Sequence, residues 1–355
     1  MIDLRIRALT LHLNLSRERK EEEALKNAVS DLYSAKEKIE KEIGLEVWSL
    51  RVSIPINWEL SDSSMDVLKK EKEIKAVIYT STSDLLNEEK VFRAVSRGYN
   101  AGIFLRSERD LSKILDLIYN LSLKDPAFST RFAVEMSGLG ITTPYFPLSI
   151  HDSSVKEDYF SIALLYPKDV EGGEDLRAVE LAIEKAYRSL SKFIREGIGK
   201  KKLRGIDYSL SPWMEESVGR ALEKIGRCKL SDLKCMKTVY EVNSILSDFA
   251  SKHEGLGFNE IMLPLGEDSY LMSLALNGEL TIKDLLLLSY VCVAGMDMIP
   301  VRGKKEQFED LLRDIYAVAR VKRRPYGVRL IYINEDFKDK EVNLGDFGKA
   351  PILNL

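Results

Sequence analysis

Short apolar runs alternate with amphipathic stretches along almost all of this chain. That alternation restricts the fold more than any single motif does. Leu4 to Leu13, Glu46 to Ile54, Lys75 to Thr80, Ala101 to Leu105 and Arg131 to Glu135 read as strands. So do Tyr159 to Leu165, Leu203 to Leu210, Phe258 to Leu263, a segment around Ala294 to Val301, and Gly327 to Ile333. Between them lie stripes at helical spacing, such as Leu25, Ala28, Val29, Leu32, Ala35, Ile39 and Ile43, which end at Gly44. About ten strands alternating with about ten helices imply mainly parallel strands joined by helical crossovers. Both a closed α/β barrel and an open doubly wound sheet fit this pattern. No Pro- or Gly-rich linker parts the chain, so residues 1–355 are expected to form one domain.

The richest apolar stretch is Gly255 to Gly303. The run Phe258 to Leu265 ends at Gly266, and Glu267 and Asp268 follow at once. Helices are expected over Ser269 to Leu276 and from Leu285 to about Val291, the second opened by a Thr281/Asp284 capping box. That second helix is apolar almost all round and is expected in the interior. Asp297 comes just before a strand-like pair, Met298-Ile299. Carboxylates at such edges commonly line the ligand crevice of α/β proteins. The bland alternative makes Asp268 an N-cap and leaves Glu267 and Asp297 in solvent.

Two further places carry polar groups that suit chemistry. The loop Ser137 to Asp152 is long, with Tyr145 and His151 on it, and reads as a lid-like functional loop. His151 titrates near neutrality and is a candidate acid/base group; a surface histidine is the plain alternative. In GIDYSLSP, Asp207 and Ser209 stand two apart on an expected strand and face one side. Together with Glu267, Asp268 and Asp297 they would make a carboxylate-rich pocket suited to Mg²⁺ or another hard cation. GIGKKK lacks a P-loop frame, GLG at 138–140 lacks a dinucleotide fingerprint, and G-x-S-x-G is absent.

Composition narrows the setting. A net charge of −3, from 53 basic and 56 acidic residues, offers no electrostatic case for nucleic acid or an anionic membrane. Dense balanced charge and a single glutamine, Gln307, resemble thermophile usage. Cys228, Cys235 and Cys292 show no zinc-knuckle spacing, although Cys228 and Cys235 can form a disulfide. The opening MIDLRIRALTLHL does not read as a signal peptide, and no run reaches the length of a membrane span. A cytoplasmic protein is expected, possible as a homo-oligomer, with a small-molecule ligand and an unassigned cofactor and metal.

GFNEIMLPLGEDSYL, LLLLSYVCVAGMDMIPVRG, GIDYSLSPWMEESVGRALEKIG and TPYFPLSIHDS resemble domain-of-unknown-function family 711, whose members carry the label PFL family protein. The resemblance implies a ten-stranded α/β barrel similar to pyruvate formate-lyase and other glycyl radical enzymes. It implies no particular reaction. Its polar motif residues fall here on His151, Asp207, Ser209, Glu267, Asp268, Cys292 and Asp297. Radical chemistry would need a late glycine loop and a central cysteine. Gly327 reads instead as a strand start and Cys292 as a small buried hydrophobe. The reading of the residues is therefore an enzyme acting on a small polar or anionic metabolite in the barrel mouth. Asp207, Glu267, Asp268, Asp297 and His151 are its candidate catalytic groups, and Tyr145, Ser209 and Cys292 its candidate ligand contacts. The alternative is a non-catalytic binding or regulatory protein with the same pocket.

Overall fold

The computed structural model describes residues 3–16, 20–71, 73–291 and 296–355, without the Leu233 side chain. Twelve strands are found among them. They are β1 (Arg5–His12), β2 (Leu50–Ser53), β3 (Ile74–Thr82), β4 (Asn100–Phe104), β5 (Phe132–Glu135) and β6 (Tyr159–Leu165). The others are β7 (Lys202–Asp207), β8 (Asp297–Gly303), β9 (Gly327–Asn334), β10 (Glu341–Asn343), β11 (Lys349–Pro351) and β12 (Leu353–Asn354).

Ten of these form one mixed, mostly parallel sheet in the order β12-β8-β9-β5-β4-β3-β2-β1-β6-β7. The strands β1 to β5 run together, and β6, β7, β8, β9 and β12 run against them. The two direction changes fall at β1/β6 and β5/β9. The end strands β7 and β12 do not pair among the described residues, so the ladder is not a closed barrel. Helices such as Glu21–Ile43 and Arg177–Glu196 bury apolar stripes in the main core. Gly44 ends the first of these in the left-handed conformation that glycine tolerates best.

The opposite face of the sheet is covered by loops, not by the second helical layer of a doubly wound fold. Ala8, Phe104, Ala133 and Ala163 of the strands meet Ile141, Tyr145, Leu148, Phe258 and Met262 there. Residues 141–150 therefore pack as a plug on this face of the sheet. Thr10 Oγ1 donates to the Pro144 carbonyl at 3.1 Å. Gly102 lets the Pro147 carbonyl approach β4 so closely that a Cβ there would overlap it.

Two expected elements differ. Residues 258–263 form no strand, because side chains occupy their amides. Phe258 N and Asn259 N donate to Asp207, Glu260 N to Ser209 Oγ, and Ile261 N to Asn243 Oδ1. The sheet instead recruits β12 from the tail, which pairs with β8. The helix Ile282–Ser289 is not enclosed either: Leu287 and the neighbouring Tyr290 are exposed. Cys228 and Cys235 form a disulfide with Cα atoms 5.3 Å apart. No helix among the described residues is long and apolar enough to cross a membrane.

Candidate functional site

A cavity of about 510 Å³ lies against the loop-covered face, at the amino ends of β2, β3 and β4. That volume suits a small molecule. Three arginines from strands dominate it: Arg7 of β1, Arg51 of β2 and Arg329 of β9. Arg7 sits at a bulge, where the pairing of β1 with β6 shifts between Ile6 and Ala8. A bulge re-aims a side chain, and here it puts a guanidinium among cavity residues next to inward-facing Ala8.

Glu267 and Asp297 also line the cavity, but neither carboxylate is idle. Arg7 Nη2 lies 2.5 Å from Glu267 Oε2, and Arg329 Nη2 lies 2.7 Å from Glu267 Oε1. Arg329 also forks onto Asp297, Nε to Oδ1 at 2.5 Å and Nη2 to Oδ2 at 2.8 Å. Burial pushes the Glu267 pKa up, but the two guanidiniums outweigh it and hold the group below its ordinary range. Burial keeps Asp297 above its ordinary range despite the fork.

Arg51 is different. Its Nε donates to Ser49 Oγ at 3.2 Å and its Nη1 to the Pro144 carbonyl at 3.3 Å, over the Phe146 ring at 5.1 Å. Among the described residues no carboxylate lies within ion-pair reach of it. Burial, then repulsion from Arg7, pushes its pKa down to about 10, so it remains charged at neutral pH. Trp48, Phe146, Trp213 and Phe347 supply aromatic wall. Tyr145 lines the cavity too, donating its hydroxyl to Ser211 Oγ at 2.9 Å. Burial pushes that hydroxyl well above its ordinary pKa.

The other candidates lie elsewhere. Asp207 is buried and accepts from Phe258 N, Asn259 N and Ser209 N at 2.8–3.0 Å, and from Ser209 Oγ at 2.5 Å. With Thr143 Oγ1 donating to its Oδ2 at 3.3 Å, it clamps three segments, around residues 143, 209 and 258, and Ser209 is part of that clamp. Asp268 caps the helix Ser269–Leu276 through Oδ1, and its Oδ2 accepts from Val218 N and Gly219 N of a second helix. His151 is almost fully buried, with Nε2 3.1 Å from the Glu157 carbonyl and its ring 5.2 Å from Tyr159. It is not on an exposed loop. Cys292 lies outside the described residues. The five expected site carboxylate and imidazole groups thus do not share one pocket; only Glu267 and Asp297 do. Among the described residues no three His, Cys, Asp or Glu side chains group as metal ligands would.

Sequence reasoning missed the arginines. The available signal was an arginine inside an apolar strand, in IRAL, LRVS and GVRLIY. A cation there is buried only with partners, or beside a space for one.

Fold and cavity together define an α/β protein with a mixed, mostly parallel sheet and an arginine-lined pocket at one end of it. Residues 63–343 match the family described as Uncharacterised ACR (DUF711), and the chain belongs to it. It is 26% identical to a UPF0210 protein of Pyrobaculum aerophilum over 263 residues, 68% of this chain and 58% of the relative. A UPF0210 protein of Clostridium perfringens is 29% identical over 158 residues, 42% of this chain and 35% of the relative. One from Clostridium botulinum is 22% identical over 302 residues, 79% of this chain and 67% of the relative. The chain spans about a third to two-thirds of these relatives' own lengths.

Proposed function

We propose that this chain binds a small anionic metabolite in the cavity framed by Arg7, Arg51 and Arg329. The observation that carries the reading is Arg51, a cation facing the cavity with no carboxylate in ion-pair reach among the described residues. Removing a charge from water without a partner is unfavourable, and an incoming anion supplies that partner. Glu267 and Asp297 are already engaged by Arg7 and Arg329, which favours binding over general-base catalysis by either carboxylate. An enzyme of this design would act through its cations, stabilising negative charge on the substrate.

The same reading takes the sheet as an opened relative of the pyruvate formate-lyase-like barrel. Five strands run each way, and residues 255–268 bridge toward the unpaired edge through Ile206/Gly255 and Met214/Asp268 contacts, which supports it.

The test is thermal melting against a panel of acetate, sulfate, phosphate and small dicarboxylates. A ligand at ~100 times its dissociation constant adds roughly 2.7 kcal/mol. A raised midpoint that disappears in Arg51→Met supports the proposal. A flat panel, or an equal rise in the variant, sinks it.

A further inference from the structure

We infer that the cavity's ligand carries a dianionic group of the phosphate-ester class, gripped jointly by Arg51 and Lys75. This rests on the anion-binding reading above and narrows it.

The charges along the cavity wall leave two cations unmatched. Ten charged side chains line it. Arg7 and Arg329 are matched by Glu267 and Asp297. At the rim, Lys36 lies 4.0 Å from Glu73, and Arg131 lies 2.8 Å from Asp346. Four cations thus meet four carboxylates, and two cations remain: Arg51 and Lys75. Among the described residues neither makes an ion pair.

The two leftover charges are neighbours by construction. Arg51 and Lys75 are register partners on the parallel strands β2 and β3. Adjacent strands stand about 4.8 Å apart, and both side chains reach the same cavity. Two like charges side by side oppose folding unless something neutralises them. Arg51 is partly buried and held over Phe146, so its fork is oriented, whereas Lys75 is exposed and free to close from the mouth. A planar fork plus a mobile point charge is a combination that suits a phosphate group. The aromatic wall of Trp48, Phe146, Trp213 and Phe347 would then face the body of the ester.

The test is calorimetric titration of the whole chain with phenyl phosphate and with benzoate at pH 8 and constant ionic strength. The two probes share a ring and differ in charge. Phenyl phosphate is expected to bind about tenfold tighter or more, the equivalent of one charge-assisted contact. Lys75→Met should bring the two affinities together, and because Lys75 is exposed and its charge faces that of Arg51, the ligand-free variant should melt no lower than the parent. The preference should also fade below about pH 6, where a phosphate monoester loses its second charge. If benzoate binds as well as phenyl phosphate, or Lys75→Met keeps the preference, the dianion assignment falls and the anion-binding reading stands. If neither probe binds, both fall.

Discussion

Arg7 and Arg329 rise from strands five places apart in the sheet, yet their guanidiniums end on the two oxygens of one carboxylate, Glu267. In a flat sheet five strand spacings would separate their backbones by about 24 Å. The convergence requires the sheet to curl around this point, as twisted sheets do. Glu267 is therefore a fastener between distant parts of the sheet as well as a cavity residue.

Replacing it tests that role. Glu267→Gln leaves two buried guanidiniums facing each other without the charge between them. Breaking a buried pair in this way costs about 3–5 kcal/mol. Urea unfolding should show a loss of that size. A loss below about 1 kcal/mol, the range of exposed pairs, would mean that solvent reaches the group freely.

Much of the fold was legible in local pattern, and the exceptions share one physical cause. Tyr159–Leu165 and the stop at Gly44 read correctly because apolar runs and a left-handed glycine are local signals. Residues 258–263 have the composition of a buried strand, but their amides go to Asp207, Ser209 and Asn243. No window of sequence contains those partners. β12 is two residues long, too short to show any period. The site was obscured in the same way. Glu267 and Asp297 were visible as polar interruptions, but the arginines that occupy them lie 32 to 260 positions away. The loop 137–152 reads as lid-like from its length, while Ile141, Tyr145 and Leu148 pack it against the sheet.

Asp207 and Asp268 should behave as structural carboxylates. Asp207→Ala orphans three buried backbone N–H groups, and each unsatisfied buried donor costs about 1–3 kcal/mol. Asp268→Asn keeps an acceptor for the helix cap but turns an amide toward Val218 N and Gly219 N, so it should cost more than a simple cap exchange. Denaturant curves should show both losses, while ligand affinity in the folded fraction changes little. A stable Asp207→Ala that has lost only ligand binding would return Asp207 to the site.

Gly102→Ala tests the loop plug. The added methyl would meet the Pro147 carbonyl and come to 3.5 Å from Leu148 Cδ2. Overpacking of this kind costs about 1–3 kcal/mol. Limited proteolysis should then cut within residues 137–152 faster than in the parent. Unchanged melting and unchanged cleavage would show that the loop yields without cost.

His12 gives the pH dependence. It is fully buried, with Nε2 2.6 Å from Ser161 Oγ and Nδ1 2.9 Å from the Ile150 carbonyl, and its ring stacks on Tyr159 at 4.7 Å. Burial lowers its pKa from 6.5 to about 3, outweighing the opposing Ile150 hydrogen bond; His151 and Arg204 also disfavour the charge, and Asp152 favours it. Between those two values the unfolded chain holds a proton that the folded chain does not. Stability is therefore fully present above about pH 6.5 and falls as pH drops through the window, by about 1.4 kcal/mol per unit. Burial lowers His151 as well, which adds a slope of the same sign. In the range from pH 6.5 to 5, His12→Gln should be less stable overall but show a shallower pH slope, by close to one proton. Equal slopes in parent and variant would mean that His12 takes up its proton in the folded state, and that the loop carrying Ile150 opens to let it.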